Sequence, residues 1–221
     1  EQGCFQLDDP VAKYLPEFAQ TPVWKGGAHA LNEVEAQASP MLVKHLFTHT
    51  SGLTYGFMNT NVVDAQYREQ GLEFPGKQDN LAQWVEQLAS VPLICQPGSQ
   101  WNYSVATDVL GRLVEVWSGQ GLAVFFRERI FGPLGMTDTA FAVTPEQQQR
   151  FAALYAPLSG GDMSSVGSKS SPTVDEPRGG LKLMESSLKS SYFKQPKLCS
   201  GGGGLTGSIG DYAKFCQMLL N

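Results

Sequence analysis

The sequence has no apolar run long enough to span a bilayer, so a membrane-crossing helix is excluded. It has no basic stripe either, and its 221 residues carry a net charge of −5. Nucleic acid and anionic membrane surfaces are therefore poor partners. Cysteine is scarce. Cys4, Cys95, Cys199 and Cys216 are widely spaced and make no Cys-x-x-Cys pair, which argues against a zinc site, a redox motif or a disulfide scaffold. His45 and His49 are four residues apart, but no His-Glu-x-x-His pattern or third ligand accompanies them, so no metal is expected. The glycine run Gly201–Gly204 is followed by Leu205 and lacks the Lys-Ser/Thr of a phosphate-binding loop. No other cofactor motif and no internal repeat is present. The first residue is Glu1 and no signal-like segment precedes the first turn signals, so Glu1 is not expected to be the natural start.

What is present is core-forming material: 42% of residues are hydrophobic and 17% charged, the balance of a folded domain. Residues 5–18 carry two prolines and no long period, and read as turns and short irregular segments. Ser39-Pro40 reads as the cap and first position of a short helix whose buried face is Leu42, Val43 and Leu46. It leads into the small-residue turn His49-Thr50-Ser51-Gly52-Leu53. Weak helical character follows over Thr60–Glu69. A better helix covers Asp79–Ala89, capped by Asp79 or Asn80, with Leu81, Trp84, Val85 and Leu88 on one face.

The strongest helical period in the chain follows Tyr103: Ala106, Val109, Leu110, Leu113, Val114 and Trp117. Ser118-Gly119 ends that helix, with Ser104 as its expected cap. Leu122–Ile130 reads as another helix, stopped by Gly132-Pro133. Thr144-Pro145-Glu146 starts a further helical turn, and Arg150–Leu158 reads as a short strand. Residues 159–204 are rich in Ser, Gly, Lys and Pro and read as an irregular excursion. Ser208–Leu220 closes the chain as a helix, with Ser208 and Asp211 in a variant capping box and Tyr212, Phe215, Cys216 and Leu219 as its apolar face. Helix dominates, and strands are few.

Four segments then fall into one order: Leu7-Asp8-Asp9-Pro10-Val11 within Phe5–Phe18; Leu46-Phe47-Thr48-His49-Thr50-Ser51-Gly52-Leu53; Trp101-Asn102-Tyr103-Ser104-Val105 within Pro97–Gly111; and Gly201–Asn221. Together they resemble the class C β-lactamase-like serine hydrolases, which include family VIII carboxylesterases, D-amino-acid peptidases and related penicillin-binding proteins. The resemblance implies an α+β, β-lactamase/penicillin-binding-protein-like fold. Residues 1–221 would form a single partial domain, mostly its helical region with little of the antiparallel sheet. It implies hydrolysis of esters, amides or β-lactams through an acyl-enzyme, with Tyr103 matching the family's tyrosine in the general-base system. A helix N-terminus and a neighbouring ammonium both favour a phenolate at such a position.

By the same resemblance Trp101, Val105, Gly203 and Gly204 would line the substrate pocket, and His49 and Ser51 would support it structurally. Many relatives carry Asn or Ser where this chain has Val105, a departure that leans away from efficient β-lactam hydrolysis and toward esterases. Glycine at 203 would leave room for a bulkier acyl or alcohol group; a tight turn needing positive φ is an equal explanation.

The family's nucleophile lies in a Ser-x-x-Lys helix shortly before the Leu-Asp-Asp-Pro segment. Its Lys-Thr-Gly-type strand follows the last helix here. Neither is in this sequence, so the chain is expected to be a fragment, inactive alone, with an uncovered apolar surface where the sheet would pack. Ser186-Ser187-Leu188-Lys189 and Ser191-Tyr192-Phe193-Lys194 match the first pattern only by spacing, out of order and in a Ser/Lys-rich tract. The alternative to an enzyme is a non-catalytic relative that binds a ligand or partner. Compartment (cytoplasmic or periplasmic) and oligomeric state leave no signal in the sequence.

Overall fold

A computed structural model describes residues 3–73, 76–157 and 180–221. Residues 159–179 of the expected excursion, and Leu158 at the end of the expected strand, lie outside the described residues. The chain divides into two compact units, one of residues 1–133 with 197–204 and the other of residues 134–196 with 205–221.

The first unit is helical. Pro10 and Pro16 start two short 3₁₀ turns, Val11–Lys13 and Pro16–Gln20. A minimal antiparallel pair follows, β1 (Val23–Trp24) with β2 (Val34–Glu35), in the register Val23↔Glu35 and Trp24↔Val34. The helices are α1 (Val43–Phe47), α2 (Val62–Gln70), α3 (Leu81–Ala89), α4 (Ala106–Ser118) and α5 (Leu122–Phe126). Asn61 and Asn80 cap α2 and α3, each side chain accepting from backbone amides of the first turn. Gly71 and Gly119 end α2 and α4 in left-handed geometry, as helix-terminal glycines do.

Helix α4 packs against α1, α3 and α5. Its Ala106, Val109 and Leu113 are fully buried, as are Val43 and Leu46 of α1 and Trp84 and Leu88 of α3 within a few per cent. Each large apolar side chain so buried contributes about 1.5–3 kcal/mol, and the 3.6-residue spacing of those positions is what directs them to one centre.

Three local expectations are corrected. Ser39-Pro40 does not start a helix. The helix begins at Val43, and the His45 ring Nδ1 accepts from Leu42 N at 3.2 Å in place of a serine cap. The helix after Tyr103 begins at Ala106 rather than Ser104, and its N-cap position, Val105, makes no side-chain cap. The α5 segment widens after Phe126 into a π-helical turn, Arg127–Phe131, closed by Gly132 N donating to Arg127 O at 2.8 Å. Gly132-Pro133 stops it there.

In the second unit, β3 (Leu154–Pro157) pairs antiparallel with β4 (Leu181–Glu185). The strand expected over 150–158 is thus shorter at its start, because Gln148–Arg150 closes a 3₁₀ turn first. Helix α6 (Ile209–Leu220) is capped by Ser208, whose hydroxyl accepts from Asp211 N at 3.3 Å. The Asp211 carboxylate does not reach back to complete a capping box. It is buried and accepts from Asp138 N at 2.7 Å and Thr139 Oγ1 at 3.0 Å. Ile209, Tyr212, Leu219 and Leu220 of α6 are exposed. No described helix is long and apolar enough to cross a membrane.

Candidate active site

All of the sequence-predicted site residues fall in the first unit. Two turns meet in front of α4, and backbone hydrogen bonds clamp them: Asn102 N donates to His49 O (2.7 Å), Gly98 N to Thr50 O (2.7 Å) and Val105 N to Thr54 O (3.3 Å). The Asn102 side-chain amide adds a bond to Leu53 O at 2.8 Å. Turn 49–54 is itself anchored from behind. The buried Asp64 carboxylate accepts from Thr54 Oγ1 and from both N and Oγ1 of Thr60, each at 2.8 Å.

Gly52 is the turn's tightest point. Its φ is +85°, and any Cβ there would lie inside 3.0 Å of the Cys95 carbonyl oxygen. Only glycine satisfies both demands.

Between the clamped turns an aromatic cluster forms. The Tyr103 ring centroid lies 5.0 Å from that of His49 and 5.3 Å from that of Tyr55; Trp101 packs edge-on to His49 at 6.4 Å. Tyr103 is half-buried and Trp101 is exposed. His49 adopts a left-handed φ of 53°, which a side-chain-bearing residue pays for by about 1–2 kcal/mol. Its backbone bond to Asn102 and its Nδ1 contact with Ser104 Oγ at 3.2 Å hold it there. Burial pushes the His49 imidazole below its usual range, which favours the neutral ring at neutral pH. Ser51 is fully buried, and its hydroxyl accepts from Leu53 N within the turn.

Ser104 is buried and turned toward His49. Its hydroxyl reaches Ala106 N only at 3.4 Å, so its main partner is the imidazole and not the helix it was expected to cap. Val105 is fully buried beneath the turn. Its side chain faces the core.

The glycine run makes the neighbouring wall. Gly201 packs on α4, where a Cβ would meet Gly111 Cα at 3.1 Å, and Gly202 would meet Asp108 Oδ2 at 2.9 Å and Tyr55 Oη at 3.2 Å. A side chain at Gly203 would meet nothing within 4 Å, and its φ is not in the left-handed region. A tight turn needing positive φ is therefore not what requires glycine at 203.

Ser200 and Asp108 hold this wall. Ser200 Oγ donates to Asp108 Oδ1 at 2.6 Å, Gly202 N donates to the same oxygen at 2.9 Å, and Gly203 N donates to Ser200 Oγ at 2.8 Å. Tyr55, Asp108 and Ser200 were not singled out by sequence reasoning. Asp108 lies in the first turn of α4, where an acid complements the helix dipole; its partner Ser200 is 92 residues away.

A separate apolar cavity of about 810 Å³ runs along α4 between Phe5, Phe47, Trp117 and Phe126, with Arg129 at its edge. Neither Tyr103 nor His49 lines it. Among the described residues no group of three or more His, Cys, Asp or Glu could hold a metal ion.

A family model described as Beta-lactamase matches residues 1–221. The chain belongs to the β-lactamase family. It is 34% identical over 220 residues to Esterase EstB of Burkholderia gladioli, covering 99% of this chain and 51% of that protein. It is 31% identical over 224 residues to monacolin J acid methylbutanoyltransferase of Aspergillus terreus, covering 100% of this chain and 48% of that one. Among solved structures, the unliganded simvastatin synthase LovD of Aspergillus terreus superposes with a TM-score of 0.70 at 28% identity, over 99% of this chain and 48% of that one. The β-lactamase/penicillin-binding-protein-like fold expected from the four segments is thereby established, in a helix-rich form with small antiparallel sheets. The chain spans about half the length of the curated relatives it matches.

Proposed function

We propose that the full-length protein is a serine hydrolase acting on carboxylic esters or amides through an acyl-enzyme, with Tyr103 in the general-base system. The observation that carries this reading is the placement of Tyr103. It stands half-buried immediately before the N-terminus of α4, packed by His49 and Tyr55, beside a glycine wall that leaves space at Gly203. Trp101 and Gly204 complete the surface on which an acyl group would rest, and His49 and Ser51 hold its shape.

In this reading a serine supplied by the full-length protein attacks the carbonyl, and the tyrosine takes part in moving its proton. Neither in-chain Ser-x-x-Lys match serves as that nucleophile. Ser186 Oγ is engaged by the amides of Leu188 and Lys189 in an exposed turn, and Ser191–Phe193 forms a single 3₁₀ turn. Val105 stands where many relatives carry Asn or Ser, so this position supplies no side-chain amide or hydroxyl, which favours esters over β-lactams. Because one relative is a named methylbutanoyltransferase, the acyl-enzyme is read as open to an alcohol acceptor as well as to water.

The test uses the full-length protein with a p-nitrophenyl acyl ester, a chromogenic cephalosporin and a fluorophosphonate probe. Ester turnover with covalent labelling is expected, and cephalosporin turnover should be the weakest. Absence of labelling and of turnover in all three would replace the enzyme with a non-catalytic binding relative. The 221-residue chain alone is expected neither to label nor to turn over.

A further inference from the structure

His49 is strained where it stands. Its φ of 53° lies in the left-handed region, which few residues with a side chain enter. Strain of this kind persists only where surrounding contacts fix it, and it gathers at working sites. Two such contacts reach His49 from the segment that carries Tyr103. Asn102 N donates to the His49 carbonyl at 2.7 Å, and Ser104 Oγ lies 3.2 Å from the ring Nδ1. Tyr103 stands between those two residues in the chain, and its ring packs on the His49 ring at a centroid distance of 5.0 Å.

The Ser104 hydroxyl decides which ring nitrogen carries the proton. Ser104 is fully buried, so its O–H needs an acceptor. Among the described residues its oxygen has two partners, Ala106 N at 3.4 Å and His49 Nδ1. The Ala106 amide can only donate. The hydroxyl therefore donates to Nδ1, and His49, whose burial favours the neutral ring, carries its own proton on Nε2.

We propose that Ser104 is a positioning residue: it donates to His49 Nδ1, fixes the rotation and tautomer of that ring, and through the ring sets the orientation of Tyr103. The effect on the reaction rests on the hydrolase reading; the Ser104–His49 bond does not.

Tyr103 has a second ring neighbour, Tyr55, at 5.3 Å. Tyr55 is steadied by stacking on Phe57, a contact with little directional demand. The His49 ring is instead tied by a directional bond to a buried atom. Removing the hydroxyl leaves that ring held by packing alone. A reacting group displaced by about 1 Å can lose about 10²-fold in rate, so a small rotation passed on to Tyr103 is enough to be measured. A serine that served only as a helix cap would affect stability and leave the reaction untouched.

The experiment uses the full-length protein with isotopically labelled histidine and reads the ring nitrogens by proton–nitrogen NMR, with His49 assigned by His49→Asn. In the wild type Nδ1 should be unprotonated and its resonance displaced from that of a free lone pair. Ser104→Ala should move it toward the free position. A wild-type Nδ1 that carries the proton overturns the proposal, as does a resonance that ignores Ser104→Ala. In parallel, Ser104→Ala should lower kcat for the p-nitrophenyl ester about tenfold while KM changes less than about twofold. His49→Asn suits the left-handed backbone but removes the ring, and it should lower kcat by a similar factor. The double variant should fall no further than either single one, because the two residues act as a unit. Losses that multiply overturn the shared route, and so does a Ser104→Ala protein that loses thermal stability but keeps its kcat. Should Ser104→Ala fail to fold, the wild-type Nδ1 and the kcat of His49→Asn decide. Absence of turnover in the wild type instead overturns the hydrolase reading, and the NMR arm still decides the Ser104–His49 bond.

Discussion

Gly52→Ala is the sharpest structural perturbation available next to the site. The methyl group would enter space held by the Cys95 carbonyl oxygen and would also press on Leu93 Cβ at 3.1 Å. Neither obstacle is the end of a flexible side chain. The Cys95 carbonyl is backbone, and the segment is pinned on both sides because Ile94 N donates to Gly52 O at 2.8 Å. Forcing extra volume into such a place costs about 1–3 kcal/mol. The left-handed φ of +85° adds about 1–2 kcal/mol for a residue with a Cβ. The sum is about 2–5 kcal/mol, a large part of a typical domain's stability of about 5–15 kcal/mol. For a chain of this size it corresponds to a fall in Tm of roughly 4–20 °C. The assay is thermal unfolding of the chain followed by circular dichroism. Because turn 49–54 carries the carbonyls that accept from Asn102 and Val105, the substitution should also lower esterase turnover in the full-length protein. A Gly52→Ala chain melting within about 1 °C of wild type would refute the packing argument.

Two further outcomes follow from the same structure. Gly203→Leu should leave stability within about 0.5 kcal/mol, since the added side chain meets only open space. It should also lower kcat/KM for p-nitrophenyl esters of bulky acids about tenfold relative to the acetate; an unchanged ratio would remove Gly203 from the acyl wall. Burial, reinforced at His45 by Lys44, lowers both His45 and His49 from 6.5. The unfolded chain therefore takes up protons before the folded one as the pH falls through about 6.5, and stability declines below that pH while staying level above it. Urea midpoints measured at about pH 7.5 and pH 5.5 should show the loss, and His49→Asn should reduce it. Equal midpoints in the wild type would contradict the assigned burial.

Much of this arrangement is legible in the sequence, for physical reasons that vary by element. Helix α4 reads well because Ala106, Val109 and Leu113 repeat at helical spacing and all three are buried. Helices α2, α3 and α6 start where Asn61, Asn80 and Ser208 accept from the first-turn amides, a local interaction written in a few adjacent residues. The turn residues of 49–54 and the glycine run are visible for the same reason.

What is not legible depends on distant partners. Ser104 looks like a cap, yet His49, 55 residues away, takes its hydroxyl. Asp108 carries no local sign of burial, but Ser200 and Gly202, more than 90 residues on, bond its carboxylate, and it is fully buried. Val105 gives no local sign of its depth, while its amide bonds Thr54 O, 51 residues away, and its side chain is fully buried. In each case the local sequence leaves the partner open and tertiary packing chooses it.

The central claim is that Tyr103 belongs to the base system of an acyl-transfer reaction. The measurement that tests it most directly is the kcat of full-length Tyr103→Phe with a p-nitrophenyl acyl ester, with folding checked by circular dichroism. The account predicts a fall of roughly 10²-fold or more, as for loss of a general base. A folded variant that turns over at the wild-type rate would contradict it.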